Sequence, residues 1–246
     1  MFEFLKNHPF AVEAFFESSI VLTFALPKED LLSAIPQCLK LDTFDDKWAF
    51  LAVAMVQTKG LRPKGFPQIL GRIFFLVGYR IFVRYTNRDG KSLRGLYILK
   101  SDTDKYTMKY LGNIFTHYNY ERIDIKQIDS GTKIVINSGD TQFSVVVEMG
   151  NESSLLPMHS PFKDWKEARK FTGPLPHTFS YNTNKKEVLI VEGIRQNWKP
   201  YPIKVINYHI PLIQQFESSN INLANAFIVR NVPYHWEKGK LEIWQL

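Results

Sequence analysis

The sequence predicts a mainly β (α+β) fold: one curved or closed antiparallel β-barrel with about three peripheral helices, formed by residues 1–246 as a single domain. Three observations predict it. Apolar runs rich in β-branched and aromatic residues recur along the 246-residue chain, and runs of that length and content mark strands. Glycine-bearing turns separate two pairs of these runs, as hairpins require. Helical start and stop signals mark only three segments.

Taken in order, Glu17–Leu26 and Lys47–Thr58 read as strands. The second, KWAFLAVAMVQT, is apolar at nearly every position, as in a strand covered on both faces. Between them, Lys28–Ile35 is framed by Pro27 and Pro36 and reads as the first helix. Tyr79–Tyr85 and Arg94–Lys100 flank Asn87-Arg88-Asp89-Gly90, a strong hairpin signal. A loop of two or four residues would set Tyr79, Ile81 and Val83 on one face with Leu96, Ile98 and Lys100. A loop of three or five would place Lys100 with Arg80 and Arg84 instead. Asp102–Phe115 reads as a helix with Ser101 as N-cap and acids in its first turn. Lys133–Asn137 and Gln142–Met149 form a second hairpin around Ser138-Gly139-Asp140. Pro161–Phe171 has Ser160 before it and Gly173-Pro174 after it, a start-and-stop pair for the third helix. Thr178–Asn182, Glu187–Glu192, Ile203–His209, Ala226–Arg230 and Leu241–Trp244 complete the strands. No repeat or low-complexity tract appears, and Gly150–Ser154 is the single candidate joint.

Composition bounds the function classes. With 45% hydrophobic and 14% aromatic residues the chain can bury a large core. No apolar run approaches the ~18–20 residues of a membrane span, so no membrane association is expected. The N-terminal MFEFLKNHPFAVEAFF lacks the basic start and small-residue cleavage site of a secretory signal. A single cysteine, Cys38, has no partner for an internal disulfide. Together these predict a cytoplasmic protein. The six histidines lack H-x-x-x-H or H-E-x-x-H spacing, and no nucleotide-binding or nucleophile motif occurs, so no cofactor or metal is expected. The net charge of +7 is uneven: −4 over residues 1–50, +8 over 51–130 and +3 over the rest. Such a field draws small anions, acidic lipids or nucleic acid, although a solvated face is the ordinary alternative.

The stretch from Leu61 to Lys100 is the most informative. It threads Arg62, Lys64, Arg80, Arg84, Arg94 and Lys100 through sequence that otherwise reads as buried sheet. Burying an unpaired charge is expensive, so cations placed there call for a ligand or a partner. Arg62 and Lys64 lie in a proline-framed loop, LRPKGFP, where a guanidinium fork would be pre-oriented toward a carboxylate; the alternative is pairing with surface acids. Arg80 either contacts the ligand or holds a buried structural carboxylate or carbonyl. Tyr97, on the same hairpin, completes the ligand-binding candidates. Lys100 ends the second strand of the hairpin, where an apolar wall or neighbouring cations would depress its pKa. Snorkelling into solvent is the alternative.

The segment LDTFDDKWAFLAVAMVQTKGLRPKGFP, followed by GYRIFVRY and GLYILKSDTD, resembles an uncharacterised bacterial family, a domain of unknown function within the acetoacetate decarboxylase-like superfamily. The similarity extends more weakly through WKEARKF and VPYHW, so it covers most of the chain. It implies a single barrel-like domain with a central cavity. The resemblance implies that the decarboxylases act through an imine on a lysine whose pKa is lowered by a neighbouring cation and an apolar pocket. Lys100 lies about where the resemblance would put that lysine. The pattern departs at two points: Ser101 follows where a second lysine is expected, and Leu76 and Val77 stand where a glutamate is expected.

Three functions are compatible with these observations. The first is a protein binding a small anionic or carbonyl-containing metabolite in a barrel cavity. The second is a decarboxylase or aldol-type lyase acting on a keto acid through a Lys100 Schiff base, with Arg62 on the carboxylate. The third is a basic module for nucleic acid or an acidic partner, the least expected. A homo-oligomer is compatible with the sequence.

Overall fold

A computed structural model describes residues 3–150, 156–216, 218 and 220–244. Most of the candidate joint Gly150–Ser154 lies outside them. Fourteen strands form one continuous mixed sheet. In chain order they are β1 Val12–Pro27, β2 Lys40–Leu41, β3 Trp48–Pro63, β4 Arg72–Thr86, β5 Ser92–Thr103, β6 Tyr120–Arg122, β7 Lys126–Asp129, β8 Lys133–Asn137, β9 Ser144–Met149, β10 His177–Asn182, β11 Glu187–Arg195, β12 Tyr201–His209, β13 Asn222–Trp236 and β14 Lys240–Ile243. The helices are α1 Lys28–Leu32, α2 Tyr106–Phe115, α3 Trp165–Thr172 and α4 Pro211–Gln214. None is long and apolar enough to cross a membrane.

The sheet curves on itself. Strands run in the order β11, β10, β5, β4, β3, β1, β13, and β13 pairs back onto β11. Those seven form a ring; β12, β9, β8 and β7 continue from β13 as a second layer. Pairing is mostly antiparallel, but β10 and β6 each run parallel to β5, so the sheet is mixed rather than uniformly antiparallel. β1 and β3 have 16 residues each, and β4 and β13 have 15, well beyond the usual strand. Register shifts near Glu13, Phe16 and Thr58 let such long strands bend around the ring.

Side-chain alternation sorts two cores. On β3, Leu51, Val53 and Met55 point to one face and pack with Ile20, Leu22 and Phe24 of β1, Val77, Tyr79 and Ile81 of β4, and Ile134, Ile136, Val145 and Val147 of the second layer. The intervening Ala52, Ala54 and Val56 point to the other face with Phe16, Val21, Phe82, Phe227 and Val232. KWAFLAVAMVQT is therefore covered on both sides, as its continuous apolar character predicts. Small residues gather on the second face, and there the ring stays open.

Two helix starts differ from the sequence reading. Ser101, Asp102 and Thr103 are buried in β5 and pair with Gly78, Val77 and Leu76 of β4; ladder pairing outweighs the local capping pattern, and α2 begins at Tyr106. Ser160 spends its hydroxyl on the Ala224 carbonyl and the Phe162 N–H. Asp164 therefore caps α3, accepting from the Glu167 N–H at 2.8 Å. The short β2, β6, β7 and α4 carry no apolar pattern that marks them in the sequence.

Candidate functional site

All seven ring strands contribute to a cavity of about 110 Å³ on the small-residue face. Ser19, Ala52, Ala54, Phe82, Leu96 and Ile98 form its floor and walls. Its polar groups include Arg80 on β4, Arg195 on β11, Ser19, Ser101, Tyr118, Tyr120, Thr172, Thr178, Trp198, Tyr234 and Trp236. No Asp, Glu, Lys, His or Cys is among the lining residues. The chamber thus holds two guanidinium groups and several hydroxyls, which can donate or accept, but no carboxylate.

Two glycines make room for it. A Cβ on Gly78 would lie 2.9 Å from Arg80 Nε, so the guanidinium folds back over a position that must be bare. A Cβ on Gly193 would overlap the Tyr234 hydroxyl. That hydroxyl accepts from Arg195 Nη2 at 2.9 Å, and the same nitrogen donates to the Leu175 carbonyl at 2.9 Å. Arg195 also lies against the faces of Trp198 and Tyr234. One arginine is thus pinned by the wall. The other is not: among the described residues no hydrogen bond or ion pair holds Arg80, and its Nε is buried without a protein acceptor. Burial lowers the Arg80 pKa below the ordinary arginine value, and the Arg195 charge adds to that effect. Arg195 Nε, Trp198 Nε1 and Tyr118 Oη are likewise buried without partners. Four orphan polar groups converge on one small space.

Residues 14–238 match the family DUF2071, described as an uncharacterized conserved protein. The chain belongs to that family. A sequence comparison of this DUF2071 protein with curated proteins found no match. Its fold is acetoacetate decarboxylase-like. It is similar to an acetoacetate decarboxylase from Legionella pneumophila subsp. pneumophila str. Philadelphia 1, with a TM-score of 0.61 at 12% identity over 95% of this chain and 88% of that one. It is similar to an acetoacetate decarboxylase-like enzyme from Sphingomonas wittichii RW1, with a TM-score of 0.60 at 9% identity over 97% and 94%. A third likeness, TM-score 0.59 at 8% identity over 95% and 89%, is to the enduracididine biosynthesis enzyme MppR, complexed with the condensation product of pyruvate and imidazole 4-carboxaldehyde. At these identities the likeness is one of fold.

Within the DUF2071 chain the sequence candidates separate. Arg80 lines the inner cavity, and its carboxylate partner, one of the two sequence expectations, is not among the described residues. Arg62 lines a second, larger cavity of about 400 Å³. Its guanidinium is already committed to Glu13 at 2.7 Å and to the Gly60 and Phe66 carbonyls at 2.9 Å each. Lys64, Tyr97 and Lys100 line neither cavity. Lys64 stands 3.7 Å from Glu237 at the surface, and Tyr97 packs against the opposite core.

Lys100 is placed by a bulge. Thr86 pairs with Ser92, leaving a five-residue loop, and Arg84, Phe82 and Arg80 pair with Arg94, Leu96 and Ile98. The register then shifts at Leu99, and Lys100 falls opposite Tyr79, on the face away from the cavity. Its ammonium is 3.1 Å from Asp102 and 2.7 Å from Glu121. Burial pulls its pKa down, but the Glu121 and Asp102 carboxylates outweigh that and hold it above the ordinary lysine value. An imine-forming lysine needs the reverse.

The basic middle segment meets the acidic first fifth of the chain. Arg62 pairs with Glu13 and Lys59 with Glu17, while Arg84 and Arg94 share Asp42, which is 1% exposed. Much of the +8 is neutralised internally. Sequence reasoning missed Arg195, Tyr234 and Trp198. A signal existed: Gly193-Ile194-Arg195 repeats the Gly78-Tyr79-Arg80 pattern on a second strand.

Proposed function

We propose that this protein binds a small carboxylate or carbonyl-containing metabolite in the Arg80 chamber, and that it does so without a lysine imine. The observation that carries this reading is the unpaired Arg80 guanidinium in a cavity that holds no carboxylate of its own. A carboxylate would supply the missing acceptor, and charge-assisted bonds are among the strongest of hydrogen bonds. The same donors suit a carbonyl oxygen that gains negative charge during carbon–carbon bond cleavage or proton abstraction. Decarboxylase or lyase chemistry therefore has an electrostatic route here, with Arg80, Arg195 and Tyr118 as the stabilising donors.

The test is isothermal titration with acetoacetate, pyruvate and butanoate beside the neutral butanamide, on the native chain and Arg80→Gln. The acids should bind and the amide should not, and Arg80→Gln should weaken the acids at least tenfold. Equal binding of acid and amide would sink the proposal. Borohydride reduction with pyruvate, followed by peptide mass spectrometry, should leave Lys100 unmodified at neutral pH. A Lys100 adduct lost in Lys100→Ala would restore the imine reading.

A further inference from the structure

The 400 Å³ cavity adjoins the inner one. Phe16, Leu76, Tyr118, Tyr120 and Trp236 line both, so these five side chains form a shared wall. The character of the two spaces is opposite. The inner, small one gathers four orphan polar groups; the outer, larger one has three, His8 Nδ1, Thr58 Oγ1 and the shared Tyr118 Oη. Most of its remaining lining is apolar, with Phe10, Val12, Phe74, Met108 and Phe115 among it, while Arg72, Thr107 and Thr116 add polar groups and Arg72 is exposed at the surface. The Arg62 charge there is already spent on Glu13 and two carbonyls. Burial also lowers the His8 pKa, which favours its neutral form.

The apolar lining does not stop at the cavity. Phe66, Leu70, Ile73 and Leu111 line it and are also exposed at its edge. A continuous apolar path therefore leads from solvent to the wall of the arginine chamber. Shape and polarity together describe the complement of an amphipathic molecule with a charged head deepest and an apolar tail outermost.

Resting on the carboxylate reading above, we infer that the ligand is an aliphatic carboxylate of medium chain length, its head on Arg80 in the inner chamber and its hydrocarbon tail in the outer cavity. Reaching the inner chamber requires the tail to pass between Phe16, Leu76 and the two tyrosines, which would grip its first methylenes. Chain length is then read by the outer cavity and head-group charge by the inner one.

The experiment is a calorimetric series of butanoate, hexanoate, octanoate and decanoate, each below its micelle concentration, with 1-octanol as the headless control. Affinity should rise about fourfold per added methylene until the cavity is filled, and octanoate should bind at least tenfold tighter than octanol. Leu70→Gln with Ile73→Gln, both at exposed edge positions, should flatten the series. Arg80→Gln should weaken every acid. Length-independent binding that still needs Arg80 would overturn the tail assignment and leave the carboxylate reading standing. Octanol binding as tightly as octanoate would overturn the head-group assignment. Binding of no acid at any length would remove both.

Discussion

Replacing Arg80 by methionine should make the empty protein more stable. The substitution keeps an unbranched apolar side chain over Gly78 and removes a charge that no described carboxylate neutralises. A buried donor left without a partner costs roughly 1–3 kcal/mol, and a value of about 2 kcal/mol would raise the melting temperature of a chain this size by roughly 4–8 °C. Arg195→Met is the internal control. Arg195 donates to the Leu175 carbonyl and the Tyr234 hydroxyl and stacks on two aromatic faces, so its loss should lower stability by about 2–4 kcal/mol. Calorimetry without added ligand and urea unfolding would measure both, with an unchanged urea slope confirming that the native state is intact. Two arginines in one cavity should thus move stability in opposite directions. If Arg80→Met destabilises as much as Arg195→Met, Arg80 has a structural partner and the reasoning behind the site is refuted.

Three further outcomes can be checked by similar means. Gly193→Ala should cost about 1–3 kcal/mol, because the new methyl group displaces the Tyr234 hydroxyl and with it the Arg195 bond; Gly78→Ala meets only a flexible guanidinium, so it should spare the melting temperature and weaken carboxylate binding instead. Asp42→Asn should lower stability by about 2–4 kcal/mol in urea unfolding, since one buried carboxylate serves both Arg84 and Arg94, whose own partial exposure softens the loss. Burial would raise the Glu242 pKa, but bonds from Lys240, the Arg88 N–H and Tyr85 outweigh it and hold it below the ordinary value. Its stabilisation is therefore full above the unfolded glutamate pKa of about 4.3 and fades as pH falls through the lower folded value; the gap between native and Glu242→Gln urea midpoints should close in that range and be widest near neutrality.

The strands were legible where burial is two-sided. Lys47–Thr58 is apolar at nearly every position because each face meets its own core, and Tyr79–Tyr85 is broken only by Arg80 and Arg84. The ends of the long strands were not, since Gly60 and Pro63 read as strand terminators but sit on curved, bulged edges. Ser101–Thr103 shows the same limit from the other side: a capping pattern is local, whereas pairing with Leu76–Gly78 is tertiary. At the site, Arg80 stood out as a cation inside an apolar strand. Arg195 sits near a strand end, where cations are ordinary, and Tyr234 and Trp198 look like any core aromatics. The position of Lys100 depended on a single bulge at Leu99, and hairpin arithmetic alone cannot see a residue inserted between paired rungs.

The ring closes through three residue pairs, Gly193 with Trp236, Ile194 with His235 and Arg195 with Tyr234. Three of those six residues also line the cavity. Arg80, on β4, lies three strands from β11 by one path and three from β13 by the other, across from this closure. A molecule held between Arg80 and Arg195 would act as a clasp across this three-pair seam. Occupancy and closure then become one equilibrium. Each tenfold excess of ligand over its dissociation constant adds about 1.4 kcal/mol against opening, and the amides of Gly193–Arg195 are where hydrogen exchange would register it.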